Sequence, residues 1–347
     1  MQETELLVHS KFLFILFIIL FHTQLNSQVF ADERVDYLLK EGITNIIKQD
    51  YSSAQIFFNS LDKEFPGLPL GKIYLAANRI AEAFDYSEDF DETFILENLE
   101  EAKEQAEELI NTKQDSIWYH YFYALAEGYT AYFHGMNESW FSALSTGINA
   151  ISEFEKILAK DENFYEAYIA IGTFEYWKNR KMEFMNWLPF NNDTRKTGID
   201  LLIVAIDSSS YNSYLAINSL IWIYIDQKKY ETAIEISDRA LSEFPNSRTF
   251  KWGMARAYEE INPKKAIELY LEILNSYPTI KKNNYKNDIT LKHIIAQQYV
   301  KLGNKENALN YCNDILSIKN IPEKTANELT ERLERVKSLK MELTKEN

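Results

Sequence analysis

The chain has 347 residues, 46% of them hydrophobic, so it has enough apolar material for a sizeable core and disorder is not expected. Only 10 residues are glycine, which argues against Gly-rich phosphate loops, and the net charge of −15 disfavours nucleic-acid binding, because phosphate contacts depend on Lys and Arg. The single cysteine, Cys312, excludes intrachain disulfides and sites built on several thiolates; its apolar helical surroundings predict a buried thiol.

The first 31 residues resemble an export signal, except that Glu3 and Glu5 make the front acidic where a signal is usually basic; one hypothesis is that the true start lies near Leu7 or Val8. Residues 12–21 read FLFILFIILF, an unbroken apolar run that follows Lys11. As a helix, ten residues rise about 15 Å, which is half the thickness of a bilayer core. The run therefore predicts the apolar core of a signal peptide in residues 1–31 rather than a membrane span. The alternative is an uncleaved signal that acts as an anchor.

Two cleavage points fit this signal. A cut before Asp32 would place Val29 and Ala31 at the −3 and −1 positions. A cut after Ser27 would start the mature chain at Gln28 instead. Either product is expected in the periplasm or outside the cell. A lipoprotein is excluded because lipidation needs a cysteine at the cleavage point, and neither position has one.

A fixed spacing of small and apolar residues recurs along the rest of the chain. It appears at Ala54, Leu61 and Pro66; at Ala233, Ala240 and Pro245; at Ala266, Ile273 and Pro278; and, without the proline, at Ala308, Ile315 and Asn320. Small residues let two antiparallel helices approach closely, and proline stops the second helix. The spacing therefore predicts helix hairpins, each with an apolar face that only a neighbouring hairpin can cover.

This spacing resembles the tetratricopeptide repeat, which has a period of about 34 residues. Residues 36–66 and 211–320 match it well, whereas residues 67–210 are a degenerate form with longer helices. The resemblance implies an all-α, right-handed solenoid of about seven antiparallel helix pairs in one domain over residues 32–347, with a C-terminal capping helix over 322–345. The pairs are expected near 34–65, 69–112, 115–159, 163–209, 211–244, 247–277 and 286–318.

Sequence motifs for catalysis are missing. The chain has no G-x-S-x-G, no P-loop, no dinucleotide fingerprint and no H-E-x-x-H. Residues 85–108 hold eleven carboxylates, but apolar residues recur at helical spacing from Ile95 to Leu109, so the acids are predicted to lie on a solvated helix face. We therefore expect no catalytic residue, no metal ion and no cofactor.

Residues 116–133 carry eight aromatic side chains in eighteen positions. These side chains are spread around most of the helix, which is typical of a helix buried on all sides. We predict a core helix here, with the wall of a ligand pocket as the alternative.

In proteins of this family, partners usually lie along a groove lined by the first helix of each pair. The resemblance implies that residues one position away from the packing stripe face this groove. The expected groove residues are Tyr176, Trp177, Asn218, Trp222, Trp252, Arg256, His293 and Gln297. Trp and Arg are common at the energetic centres of interfaces. The alternative is that the Trp residues only fill gaps between repeats.

A second candidate surface lies in the apolar turn that follows the fourth first helix. Its large side chains are Met185, Trp187, Leu188 and Phe190. A turn that faces solvent should be polar, so this one either tucks under the adjacent irregular pair or forms an exposed apolar patch for a partner or a membrane.

These patterns together predict an exported, non-catalytic protein–protein interaction scaffold that binds a peptide or protein segment in a concave groove. Self-association is possible, no nucleic-acid partner is expected, and membrane contact is expected only if the N-terminal segment stays uncleaved. Two alternatives remain: a small-ligand or glycan binder or hydrolase that uses the aromatic-rich centre, and a membrane-tethered assembly factor.

Overall fold

The computed structural model describes residues 28–112, 116–137, 139–181, 193–280 and 284–345. Within these ranges there are sixteen helices and no strand. The helices are α1 (Glu33–Lys48), α2 (Tyr51–Glu64), α3 (Leu70–Tyr86), α4 (Glu92–Thr112), α5 (Ile117–Met136), α6 (Trp140–Lys160), α7 (Tyr165–Lys181), α8 (Arg195–Ser208), α9 (Ser213–Asp226), α10 (Tyr230–Glu243), α11 (Arg248–Ile261), α12 (Pro263–Ile280), α13 (Tyr285–Lys301), α14 (Lys305–Ser317), α15 (Glu323–Glu328) and α16 (Thr330–Lys345).

Helices α1 to α14 form seven hairpins, α1–α2 to α13–α14, and each helix packs on the next. Alternate helices also touch, as between α1 and α3 and between α9 and α11. The predicted all-α solenoid of seven antiparallel helix pairs is confirmed. One boundary differs: Pro278, expected to end the second helix of its pair, lies inside the last turn of α12.

The predicted capping helix is divided at Leu329 into α15 and α16. At the division, the Thr330 hydroxyl donates a hydrogen bond to the Ala326 carbonyl at 3.1 Å. Helix α16 packs on α14, and Val336 and Cys312 are both 0% exposed in a shared apolar cluster. The predicted buried position of Cys312 is thus confirmed, and burial raises the pKa of its thiol.

Helices α7 and α8 approach each other at a pair of glycines. A Cβ atom on Gly198 would lie 2.5 Å from the carbonyl oxygen of Gly172, and one on Gly172 would lie 2.7 Å from the carbonyl oxygen of Gly198. The absence of a side chain on both glycines therefore sets the distance between the two helices of this hairpin. It belongs to the region where the sequence shows no clear repeat spacing.

The aromatic helix α5 is a core helix only in part, because five of its twenty residues are buried and most of the others are half-buried. Phe122 and Phe133 are 0% exposed and Tyr121 is 3% exposed, whereas Tyr132 is 51% exposed. In the preceding helix α4, the predicted apolar stripe from Ile95 to Leu109 is also buried.

The first helices of several hairpins meet around a buried polar cluster. The Glu166 carboxylate of α7 accepts hydrogen bonds from the Asn212 side chain at 2.7 Å and from the Tyr211 backbone N–H at 2.8 Å. Asn212 also donates to the Tyr74 hydroxyl of α3 at 3.2 Å, and the Tyr121 hydroxyl of α5 lies 3.5 Å from Glu166. Burial raises the pKa of Glu166. The space between α3, α5, α7 and the start of α9 is therefore filled by the chain's own side chains.

A second buried cluster joins residues 163 positions apart in the chain. Asp85, at the end of α3, pairs with Arg248, at the start of α11, and both side chains are 6% exposed. The Tyr51 and Tyr277 hydroxyls each donate to the Asp85 carboxylate at 3.1 Å, and the Asn287 side-chain amide donates to the Asp85 backbone carbonyl at 2.7 Å. Burial opposes the charge of Arg248, but Asp85 outweighs it and raises the Arg248 pKa.

We refer to these five residues as the Asp85 cluster. It brings the second hairpin against the sixth and seventh, so the array winds tightly enough for distant hairpins to touch. The prediction that the acids of residues 85–108 all lie on a solvated face is wrong for Asp85. Its neighbours along the chain give no hint of Arg248.

Candidate partner-binding surface

The clearest candidate surface lies where α9 and α11 touch. A Cβ atom on Gly253 of α11 would lie 2.4 Å from Cγ2 of Ile221 in α9, so the two helices are closest at these residues. Because consecutive helices are antiparallel, α9 and α11 run parallel. The residue after Ile221 is Trp222 and the residue before Gly253 is Trp252. In parallel helices these two positions project to the same side of the contact.

Helical spacing places two further predicted residues on that side, Asn218 one turn before Trp222 and Arg256 one turn after Trp252. Asn218 and both Trp side chains are half-buried, and the Arg256 side chain is 53% exposed. We call these four residues the α9–α11 face. Leu220, the residue before Ile221, lies on the opposite flank of α9 and is 0% exposed.

Buried side chains of the same hairpin support Arg256 and Trp252 of α11. Arg256 donates to the Glu259 carboxylate at 2.6 Å, and Glu259 accepts a second hydrogen bond from the Tyr270 hydroxyl at 2.6 Å. The Trp252 ring packs edge-on against Tyr270 with ring centroids 5.3 Å apart. Glu259 is 5% exposed, so this support is buried. The Arg256 guanidinium and the Trp252 ring are therefore fixed before any partner arrives.

Two of the predicted groove residues are not at the surface. Tyr176 is 1% exposed and its hydroxyl donates to Asp226 at 2.7 Å. His293 is 2% exposed, and its Nδ1 lies 3.5 Å from a guanidinium nitrogen of Arg332 in α16. Their expected place on an open groove is corrected, because Tyr176 lies in an apolar cluster with residues of α8 and α9, and the C-terminal helix places Arg332 beside His293. Burial, with the charges of Arg332 and Arg335, lowers the pKa of His293 to about 4.

The other two predicted groove residues lie outside the α9–α11 contact. Gln297 is exposed on α13. Trp177 is half-buried on α7, with its ring centroid 5.1 Å from that of Tyr176. The structure thus brings four of the eight predicted residues together on one face.

The predicted apolar patch of Met185, Trp187, Leu188 and Phe190 lies outside the described residues. An apolar surface outside the predicted sites lies on α6. It is formed by Phe141, Leu144 and Ile148, which are 93%, 38% and 51% exposed. The signal was present in the sequence, because the three α6 residues stand at i, i+3 and i+7 and no charged residue occurs from 139 to 152.

The described residues contain no group of three or more His, Cys, Asp or Glu side chains that could hold a metal ion. Among the described helices, none is both long and apolar enough to cross a membrane.

Comparison with known proteins identifies repeats in the same part of the chain. A family model described as a tetratricopeptide repeat matches residues 220–247 and 251–279. No curated protein matches the sequence.

Among solved structures, the C-terminal part of a TPR repeat-containing protein from Cytophaga hutchinsonii is 17% identical, with 83% of this chain and 98% of that chain covered and a TM-score of 0.42. A tetratricopeptide repeat protein from Parabacteroides merdae is 13% identical, with coverages of 89% and 100% and a TM-score of 0.35. Yeast Tom70 is also 13% identical, with coverages of 91% and 66% and a TM-score of 0.36. The family model thus identifies residues 220–247 and 251–279, which hold Trp222, Trp252 and Arg256, as tetratricopeptide repeats.

Proposed function

We propose that this chain is an exported, non-catalytic scaffold that binds a segment of a partner protein across α9 and α11. The proposal of export rests on the apolar run of residues 12–21, which follows Lys11, and on the two cleavage points after it. The scaffold role is supported by the tetratricopeptide repeats of residues 220–247 and 251–279.

The observation that carries the binding proposal is the α9–α11 face. It presents two partly exposed Trp side chains and one exposed Arg on neighbouring parallel helices, with a buried Glu–Tyr pair that fixes the Arg. Trp and Arg are enriched among the residues whose truncation weakens binding most. A side chain held in place beforehand loses less conformational entropy when a partner binds. The face therefore has both the composition and the rigidity of a binding site.

The dimensions fit an extended segment. Packed helices lie about 8–10 Å apart, and an extended chain advances about 3.3 Å per residue. A partner segment that crosses from Trp222 to Trp252 would place side chains about three residues apart over the two rings.

The test begins with affinity capture by the mature chain from its native host, followed by measurement of the dissociation constant for each captured protein. Trp222→Ala and Trp252→Ala should each weaken binding by about 30-fold, which corresponds to roughly 2 kcal/mol for a residue at the centre of an interface. Asp238→Ala is the matched control, because Asp238 is exposed on α10, a helix that contributes no residue to the α9–α11 face.

Binding that is equally strong in both Trp variants and in the control would refute the assignment of the face. Thermal unfolding of each variant must be measured beside wild type, so that loss of folding is not taken for loss of binding. The ligand-binding, hydrolase and membrane-tethered alternatives gain no support from the described residues.

A further inference from the structure

The four residues that precede Asp32, the N-cap of α1, are part of the folded array; they are Gln28 to Ala31. The Phe30 ring lies 5.6 Å from the Trp118 ring and 5.7 Å from the Phe122 ring of α5, between centroids. The Phe30 backbone N–H donates to the Tyr211 hydroxyl at 2.9 Å. We call residues 28–31 the N-terminal strap.

Gln28 adds two further contacts at the beginning of the strap. Its backbone carbonyl accepts a hydrogen bond from the Ser210 hydroxyl at 2.8 Å. Its side-chain amide donates to the carboxylate of Asp161, which caps the end of α6. Val29, which lies between Gln28 and Phe30, is 39% exposed, so alternate residues of the strap point inward and outward.

The strap contacts residues that are themselves important for the array. Ser210 and Tyr211 directly precede Asn212, which hydrogen-bonds Glu166 in the buried polar cluster. Phe122 is 0% exposed with Phe30 against it. Removing the strap would therefore uncover apolar surface of α5 and take a hydrogen-bond partner from each of Ser210 and Tyr211.

The two cleavage points that fit the sequence differ in what they do to this strap. A cut before Asp32 removes all four residues and every contact described above. A cut after Ser27 keeps them all. We propose that the export signal is cut after Ser27, so that the mature chain begins at Gln28 and retains the strap as its N-terminal anchor. This inference rests on the proposed export of the chain.

The direct test is to express the full chain in its native host or another exporting bacterium and to identify its N-terminal peptide by mass spectrometry. A peptide that begins at Gln28, as the amide or cyclised to pyroglutamate, is the expected result. A peptide that begins at Asp32 in the exported fraction would overturn the proposed cut and leave the export proposal intact. An uncut chain confined to the cytoplasm would overturn both.

A second measurement tests the strap without relying on the peptidase. Two proteins produced without a signal, one starting at Gln28 and one at Asp32, are compared by thermal unfolding. The shorter protein should melt roughly 4–8 °C lower, the shift expected for loss of a half-buried aromatic side chain in a chain of this size. Phe30→Ala in the longer protein should reproduce most of the loss, and Val29→Ala should not. Equal melting temperatures for the two starts would refute the structural role of the strap.

Discussion

The substitution Asp85→Asn tests whether the Asp85 cluster holds distant hairpins together. It keeps the size of the side chain and removes its charge. The Arg248 guanidinium, whose side chain is 6% exposed, is then left buried without a carboxylate. The hydroxyls of Tyr51 and Tyr277, which donate to that carboxylate, also lose their charged acceptor.

The expected cost follows from this burial. Breaking a buried ion pair by removing one partner costs about 3–5 kcal/mol, because the remaining charge is uncompensated. In a chain of this length, 1 kcal/mol shifts the melting temperature by about 2 °C. Asp85→Asn should therefore lower the melting temperature by roughly 6–10 °C.

The assay is thermal unfolding followed by circular dichroism at pH 7, with Asp207→Asn as the control. Asp207 pairs with Arg239, but the two side chains are 71% and 53% exposed, and an exposed pair contributes at most about 1 kcal/mol. The double substitution Asp85→Leu with Arg248→Met should recover much of the stability, since it leaves no buried charge. The reasoning is refuted if Asp85→Asn melts no lower than Asp207→Asn.

Three further predictions concern other parts of the array. The His293 pKa of about 4 lies below the value of about 6.5 expected in the unfolded chain, so the folded chain binds this proton more weakly, and the free energy of unfolding should fall by about 2 kcal/mol between pH 7 and pH 5. Urea unfolding at both pH values should show a smaller fall for His293→Gln. An equal fall in the variant and in wild type would contradict the assignment. Gly198→Ala should destabilise the fold by about 1–3 kcal/mol, because its Cβ would meet the Gly172 carbonyl oxygen. Gly135→Ala, with its nearest contact at 3.8 Å, should stabilise the fold by about 0.5–1 kcal/mol. The reasoning is wrong if chemical denaturation shows that both substitutions change the free energy of unfolding in the same direction. Phe141→Ser should change the free energy of unfolding by less than about 0.5 kcal/mol, since the ring is 93% exposed, and a loss above 1 kcal/mol in urea titration would mean that the ring is packed.

The hairpins could be predicted from the sequence because their determinants are local. Ala233 and Ala240 stand seven residues apart and both are 0% exposed, as close helix packing requires. Such spacings survive in a single sequence, since each depends only on the two helices of one pair. In the degenerate region 67–210, where this spacing is lost, the three pairs were placed from helical periodicity and turn positions alone.

The winding of the array could not be predicted, because it depends on contacts between residues far apart in the chain. The residues next to Asp85 in the sequence have the composition of a solvated surface, and Arg248 follows an ordinary turn. Nothing in either neighbourhood indicates the other. The burial of His293 was missed for the same reason, since it depends on Arg332 and α16 folding back over α13.

The candidate surface was predictable in part. Trp222 and Trp252 were found because the repeat spacing fixes which side of each first helix faces away from the second. That they share a face required the contact between Ile221 and Gly253, which sets the register of α9 against α11. Spacing within one repeat carries no information on that register.

The contact between Asp85 and Arg248, which are 163 positions apart, also affects how the chain folds. An open array of hairpins needs only neighbouring contacts, so it can begin to fold as soon as the first pairs leave the ribosome. Here the second hairpin cannot reach its final packing until Asn287 has been synthesised. Folding should then be slower than in an open array of equal length, because distant contacts form late. The finished molecule should unfold as one unit rather than fray from its ends.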